Sequence, residues 1–388
     1  MKPTRRVLLA IGVLVLVMVT GLFVSWHVQT RALGAALVRD VEATLARRLE
    51  RNPGPDAPKH ENGYACFAQA VDAMPADVAP FDQKSGPALA QMMDAGVVFE
   101  TWQAKVASLE PWAASARSCG DSARLQFVPG VTPFATVSET RGERGVQSLL
   151  ALGRMTRLQA RIEPGVPEVI AERCAATLEV ALDRSHVNLI GAMVAATTVQ
   201  QLTPSCGEAL QRLGVENRQR LAARLGRLRE RLATNHEWVD IERLAMSLPL
   251  YGWTLSEAER GRLPASDDMM RETLANPLHR FVLARMWGRW DRAMRQLAAS
   301  ADTPGPARTE ASIRLDEVFD AWWIPGELSV GGPGYEKLLV RRDETAILLQ
   351  LLADLAAGGE RPLPPQVTRQ AEGLVFTNFE GVRLIIAK

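Results

Sequence analysis

VLLAIGVLVLVMVTGLFVSW, residues Val7 to Trp26, decides how the rest of the chain is read. The run contains no charged residue, and only Thr20 and Ser25 carry hydroxyls. At 1.5 Å per residue, a helix of this length extends about 30 Å, the hydrocarbon thickness of a bilayer. A secretory leader has a shorter apolar stretch, about 7–15 residues, with a small-residue cleavage site close behind it. Here the run closes with Phe23, Trp26 and His27, and the nearest small residues, Ala32 to Ala36, belong to the following helix. An uncleaved anchor fits this pattern, and a cleaved leader is the alternative. Trp26 sits where an interfacial aromatic belongs.

Lys2, Arg5, Arg6 and the terminal amine crowd the short flank 1–6. Positive flanks stay in the cytoplasm, which puts the body on the other side. Arg31 and Arg39, beyond the anchor, reduce the contrast. The paired arginines loosely match a twin-arginine export signal, a pattern that any two arginines before an apolar helix produce.

The whole chain has 388 residues, 47% apolar and 23% charged, with a formal net charge of +1. At roughly 150 residues per domain that allows two to three units. Disorder needs fewer apolar residues and a larger net charge. Without the three basic residues of the N-terminal flank, acids slightly outnumber bases. Bulk charge therefore gives no sign of a nucleic-acid partner.

Working outward, Leu33, Leu37, Val41, Leu45 and Leu49 recur every four residues, the stripe of a helix continuing out of the membrane. Asn52-Pro-Gly-Pro-Asp-Ala-Pro58 stops it, because proline cannot continue a helix. Residues 27–58 thus form a stalk and a Pro-rich linker. From 59 to 300 the spacing and the Pro/Gly punctuation predict successive helices near 62–74, 86–118, 139–162, 167–184, 187–202, 207–213, 216–233, 236–247, 256–262 and 277–300. The stretch 120–136 reads as a loop crossing. No tetratricopeptide consensus aligns on this region, so antiparallel helical hairpins, as an array or a bundle, are the economical architecture. Residues 301–388 hold a second linker, helices near 310–323 and 335–357, and a β-hairpin. The hairpin pairs Leu374–Phe379 with Val382–Ile386 around Glu380-Gly381, and must lie against the helices to be stable.

Leu149-Leu-Ala-Leu-Gly-Arg-Met-Thr-Arg-Leu158, followed by Leu189-Ile-Gly-Ala-Met-Val194, resembles uncharacterised membrane-anchored, leucine- and alanine-rich helical bacterial proteins. The resemblance covers roughly 140–260. It implies an N-terminal anchor, a helical body and a short terminal strand element, and it implies no activity. Such proteins often carry Gly-Arg-Tyr-Pro and then Asp-Pro near the C-terminus, where this chain has Gly359-Glu-Arg-Pro362 and no Asp-Pro.

Cys66, Cys119, Cys174 and Cys206 all follow the anchor. An even count in an exported body suits two disulfides, and chain order favours Cys66–Cys119 and Cys174–Cys206. Four small buried thiols are the alternative. The cysteine spacings and His27, His60, His186, His236 and His279 offer no paired-ligand pattern for a metal. His236-Glu237-Trp-Val-Asp240 begins like a zinc-protease helix but has Asp where the second imidazole must stand, so capping is the simpler role. A Cys66 nucleophile would need an assisting imidazole, and only His60 is near in sequence. Nucleophile elbow, phosphate loop and dinucleotide fingerprint are all missing, and Gly331-Gly-Pro-Gly334 reads as a turn.

Two helical stripes complete the inventory. In 216–233, Leu221, Leu225, Leu228 and Leu232 define a buried seam. Arg220, Arg224, Arg227 and Arg231 repeat its spacing one position earlier, a strip that could hold an anionic ligand, a lipid headgroup or an acidic partner face. A solvated face paired to acids on adjacent helices is the plainer reading. Leu283, Trp287, Trp290, Met294 and Leu297 mark a second seam, read as core rather than as an aromatic ligand box. Trp322-Trp323 point about 100° apart on a helix, so one of them suits a linker or interface.

The expectation is a mainly α protein: cytoplasmic flank 1–6, transmembrane anchor 7–26, stalk 27–58, helical body 59–300 and a C-terminal unit 301–388. It belongs in a bacterial inner membrane, single-pass, with a periplasmic body. The expected role is a non-enzymatic binding or scaffold module for an envelope protein, with no cofactor. An envelope hydrolase, its site assembled only in three dimensions, is the alternative.

Overall fold

A computed structural model describes residues 3–51, 63–75, 100–121, 142–163, 165–185, 189–240, 242–243, 277–320, 332–358, 362–371 and 373–387. The expected linker 52–58, the expected loop 120–136 after its first two residues (Gly120 and Asp121 are helical), helical stretches at 86–99, 244–247 and 256–262, and His60, His186, Trp322 and Trp323 lie outside them. Helix α1 runs unbroken from Pro3 to Arg51, so the expected anchor and stalk share one rod. Within it Leu9–Gln29 is long and apolar enough to cross a membrane. Leu9, Leu14 and Leu16 are 60%, 60% and 67% exposed. Apolar side chains left uncovered by protein are compatible with a membrane-spanning helix.

The body is built from α2 (Gly63–Asp72), α3 (Glu100–Asp121), α4 (Gly142–Ile162), α5 (Pro167–Arg184), α6 (Leu189–Arg212) and α7 (Val215–Arg231). It continues with α8 (Pro277–Ser300), α9 (Pro306–Asp320), α10 (Gly332–Ala357) and the strands β1 (Val367–Gln370), β2 (Gly373–Thr377) and β3 (Arg383–Ala387). Short connections turn α4 into α5, α5 into α6, α6 into α7 and α8 into α9, and each of the first, second and fourth pairs packs face to face. Helices α5 and α6 are central. One of their faces joins Phe67, Leu109, Trp112, Leu152 and Met155 of α2–α4 in one apolar cluster. The opposite face joins the leucine seam of α7, Leu348 and Leu352 of α10, and Val367, Phe376 and Ile386 of the sheet in another.

Three details depart from the sequence expectation. Helix α6 is continuous through Pro204, where a break between 202 and 207 was expected. Proline removes one backbone hydrogen bond, but burial of Leu202, Cys206, Leu210 and their neighbours on both sides of it holds the helix together. Helix α9 starts at Pro306, a first-turn position where the missing N–H costs nothing. The terminal hairpin is a three-stranded antiparallel sheet ordered β1-β2-β3. Strand β1 escaped notice because Thr368, Arg369 and Gln370 are exposed and leave no alternation.

The sheet seats on α6 at Gly207. A Cβ there would collide with the Ile386 carbonyl oxygen and approach Ile386 Cγ2 to 2.8 Å. Only a glycine lets the strand backbone come this close. The β2–β3 turn is tied to α10, where the Phe379 amide donates to Glu344 Oε1 at 2.6 Å and Arg341 pairs with Glu380 at 3.5 Å.

Candidate functional site

The pairing of the cysteines bears on the compartment. Cys66 is joined to Cys119, with Cα atoms 5.6 Å apart, and this ties α2 to α3. Cys174 is joined to Cys206 at 5.8 Å, tying α5 to α6 one residue before the glycine that seats the sheet. No described cysteine is left as a thiol. Disulfides persist in oxidising compartments and are rare in the cytosol.

The arginine strip of α7 faces α5. Arg224 reaches Glu179 through both Nε and Nη2, at 2.8 and 2.6 Å, and Glu172 through Nη1 at 2.7 Å. Arg220 pairs with Glu172 at 2.5 Å, and Arg231 lies 3.9 Å from Glu179. Glu179 is buried, so it requires the cation beside it. Arg227 is exposed and has no acidic partner among the described residues. Three of the four guanidinium groups therefore latch one helix to another.

Buried cations elsewhere follow the same pattern. Arg117 is held by Glu110 at 2.6 Å and donates to Gln159, and burial pulls its pKa below the ordinary arginine value. Arg243, 2% exposed, bridges Asp240 and Asp291, each at 2.8 Å. Arg308 joins Glu336 and Asp343 at 3.1 and 2.8 Å, and Asn235 donates to the same Asp343. Each network bridges separate segments of chain and is closed by its own partners.

The His236-Glu237 segment caps a helical turn over 235–240. The Glu237 amide donates to Thr234 Oγ1 at 3.1 Å, and the Thr234 amide donates to Glu237 Oε2 at 2.7 Å, a reciprocal capping box. His236 Nδ1 lies 2.8 Å from the Ala298 carbonyl. Among the described residues no three His, Cys, Asp or Glu side chains converge on a metal-sized space. Trp290, Met294 and Leu297 are buried in the core.

One cleft has a different character. It opens between the α6–α7 junction, the C-terminal end of α10 and the sheet, and encloses about 620 Å³. Its apolar wall is Leu351, Leu355, Pro362, Leu363, Pro364 and Leu374, and its polar groups are Gln211, Arg218, Asp354 and Arg369. Gln350 Nε2 donates to Asp354 at 2.9 Å. Arg218 Nη1 reaches over Gly358, whose φ of +71° ends α10 in the left-handed conformation and leaves the space open. Neither the Arg218 nor the Arg369 guanidinium has a hydrogen-bonded or ion-paired partner among the described residues. The volume is that of small-molecule sites, which combine an apolar lining with a few placed polar groups.

Sequence reasoning passed over this cleft because its residues come from two distant stretches of chain, 211–218 and 351–374. One signal was available. Arg218 stands in the first turn of α7, where a cation opposes the helix dipole and is favoured by nothing local.

Fold and site thus define a disulfide-linked helical body with a mixed polar and apolar cleft, behind one membrane-length helix. The chain matches no protein-family model, no curated protein and no solved structure.

Proposed function

We propose that this is a single-pass inner-membrane protein whose helical body stands on the oxidising, periplasmic side and works as a non-enzymatic binding or scaffold module for an envelope protein. The observation that carries this reading is the contrast between two sets of arginines. Those of the α5–α7 latch and of the buried networks face acids within the fold. Arg218 and Arg369 line an open cleft that also holds Asp354, and neither guanidinium is ion-paired to it or to any other acid among the described residues. Solvated, unpaired guanidinium groups beside an apolar wall offer a partner both charge and apolar contact. The bare apolar α1 and the two disulfides support the placement.

The test is photocrosslinking in intact cells from the full-length protein. A crosslinking residue replaces Gln211 at the cleft rim or, as control, Ile313, which is 52% exposed on α9. A discrete adduct from position 211 and none from 313 is expected. Equal adducts from both, or none from 211, would refute the reading.

A further inference from the structure

We infer that the cleft binds a small organic monocarboxylate, its charge held between Arg218 and Arg369 and its apolar part lying on Leu351, Leu355, Leu363 and Leu374. The inference goes beyond the protein-partner reading and rests only on its premise that this cleft is a binding site. Charge selects the class. Two guanidinium groups and one carboxylate, Asp354, leave a single positive charge among the described lining side chains. One anionic charge balances it, whereas a phosphate dianion would bring an excess charge against Asp354. Shape agrees, because the planar guanidinium fork meets a carboxylate through two parallel hydrogen bonds. The leucine and proline wall then asks for a ligand that carries methylenes, each of which strengthens binding roughly fourfold when buried. A cleft of about 620 Å³ has room for such a molecule.

Arg218 has one further neighbour to account for, the last turn of α10, whose carbonyl end also attracts cations. The experiment separates the two roles. The full chain in a non-ionic detergent is titrated calorimetrically with hexanoate, acetate and inorganic phosphate, and its melting temperature is recorded. Hexanoate should bind saturably, more than tenfold tighter than acetate and more tightly than phosphate. Arg218→Gln and Arg369→Gln should each weaken hexanoate roughly tenfold or more, as expected for a hydrogen bond to a charged group. Arg227→Gln, on the exposed face of α7, should leave it unchanged.

Absence of saturable hexanoate binding overturns the inference, as does phosphate binding as tightly. A melting temperature lowered by Arg218→Gln with unaltered hexanoate affinity also overturns it and assigns Arg218 to the α10 terminus alone. A cleft-specific crosslink without hexanoate binding defeats the carboxylate assignment and spares the binding module. Hexanoate binding without the crosslink spares the ligand site and defeats the protein partner.

Discussion

Gly207 and Gly226 both sit inside helices, and replacing each with alanine should move stability in opposite directions. In an exposed helix interior, alanine is favoured over glycine by about 1 kcal/mol. Gly226, on α7, has nothing within 4 Å of the position a Cβ would take, so Gly226→Ala should gain close to that full amount. Gly207 receives the same local gain but meets the Ile386 carbonyl oxygen and Cγ2. The obstacle is strand backbone and cannot rotate aside, so β3 must lift from α6. Overpacking of this kind costs about 1–3 kcal/mol, and the backbone obstacle puts this site at the upper end. The expected net loss for Gly207→Ala is about 1–2 kcal/mol, or roughly 2–4 °C per kcal/mol in a body of this size. Lifting β3 also uncovers Ile386 and Phe376, which are 1% and 0% exposed. Thermal unfolding of the full chain in detergent measures the first effect. Hydrogen exchange over residues 367–387 measures the second, and those amides should exchange faster in Gly207→Ala only. Stabilisation by both substitutions, or wild-type exchange in the sheet of Gly207→Ala, would refute the seating of β3 on α6.

Two further expectations concern the cross-links and pH. The disulfides close loops of 53 and 32 residues, so replacing either pair with alanine should cost about 4 kcal/mol by loop-closure entropy, and denaturant midpoints check this. In cells, a maleimide reagent should label the chain only after reduction, and labelling without reduction would count against the oxidising compartment. Burial raises the pKa of Glu344 above the ordinary glutamate value despite the Phe379 amide. The folded state then holds this proton to higher pH than the unfolded state does. Its contribution is therefore fully present below the unfolded pKa and is lost as pH rises through the folded one. Glu344→Gln keeps an acceptor for Phe379 and should flatten that part of the stability–pH curve, which urea titrations from pH 4 to 8 would show.

Much of this architecture was legible in the chain itself, for a physical reason. An uncharged apolar run of bilayer length, a leucine every three or four positions and a Pro/Gly break are all local patterns. They sufficed to place α1, to find α4, α5 and α7 within a few residues, and to favour neighbouring cysteines as partners. The arginine strip was equally legible as a strip. Its orientation was not, because Glu172 and Glu179 stand some 45 to 52 residues earlier and meet Arg224 only once α5 and α7 pack together. Continuity of α6 through Pro204 was decided by burial on either side of the proline, a tertiary effect that overrides local propensity. Strand β1 had no pattern of its own and exists because β2 offered it an edge. The cleft belongs wholly to the tertiary level. Arg218 and Arg369 lie far apart along the chain and come to line one cleft only when the sheet packs beside α7 and the end of α10.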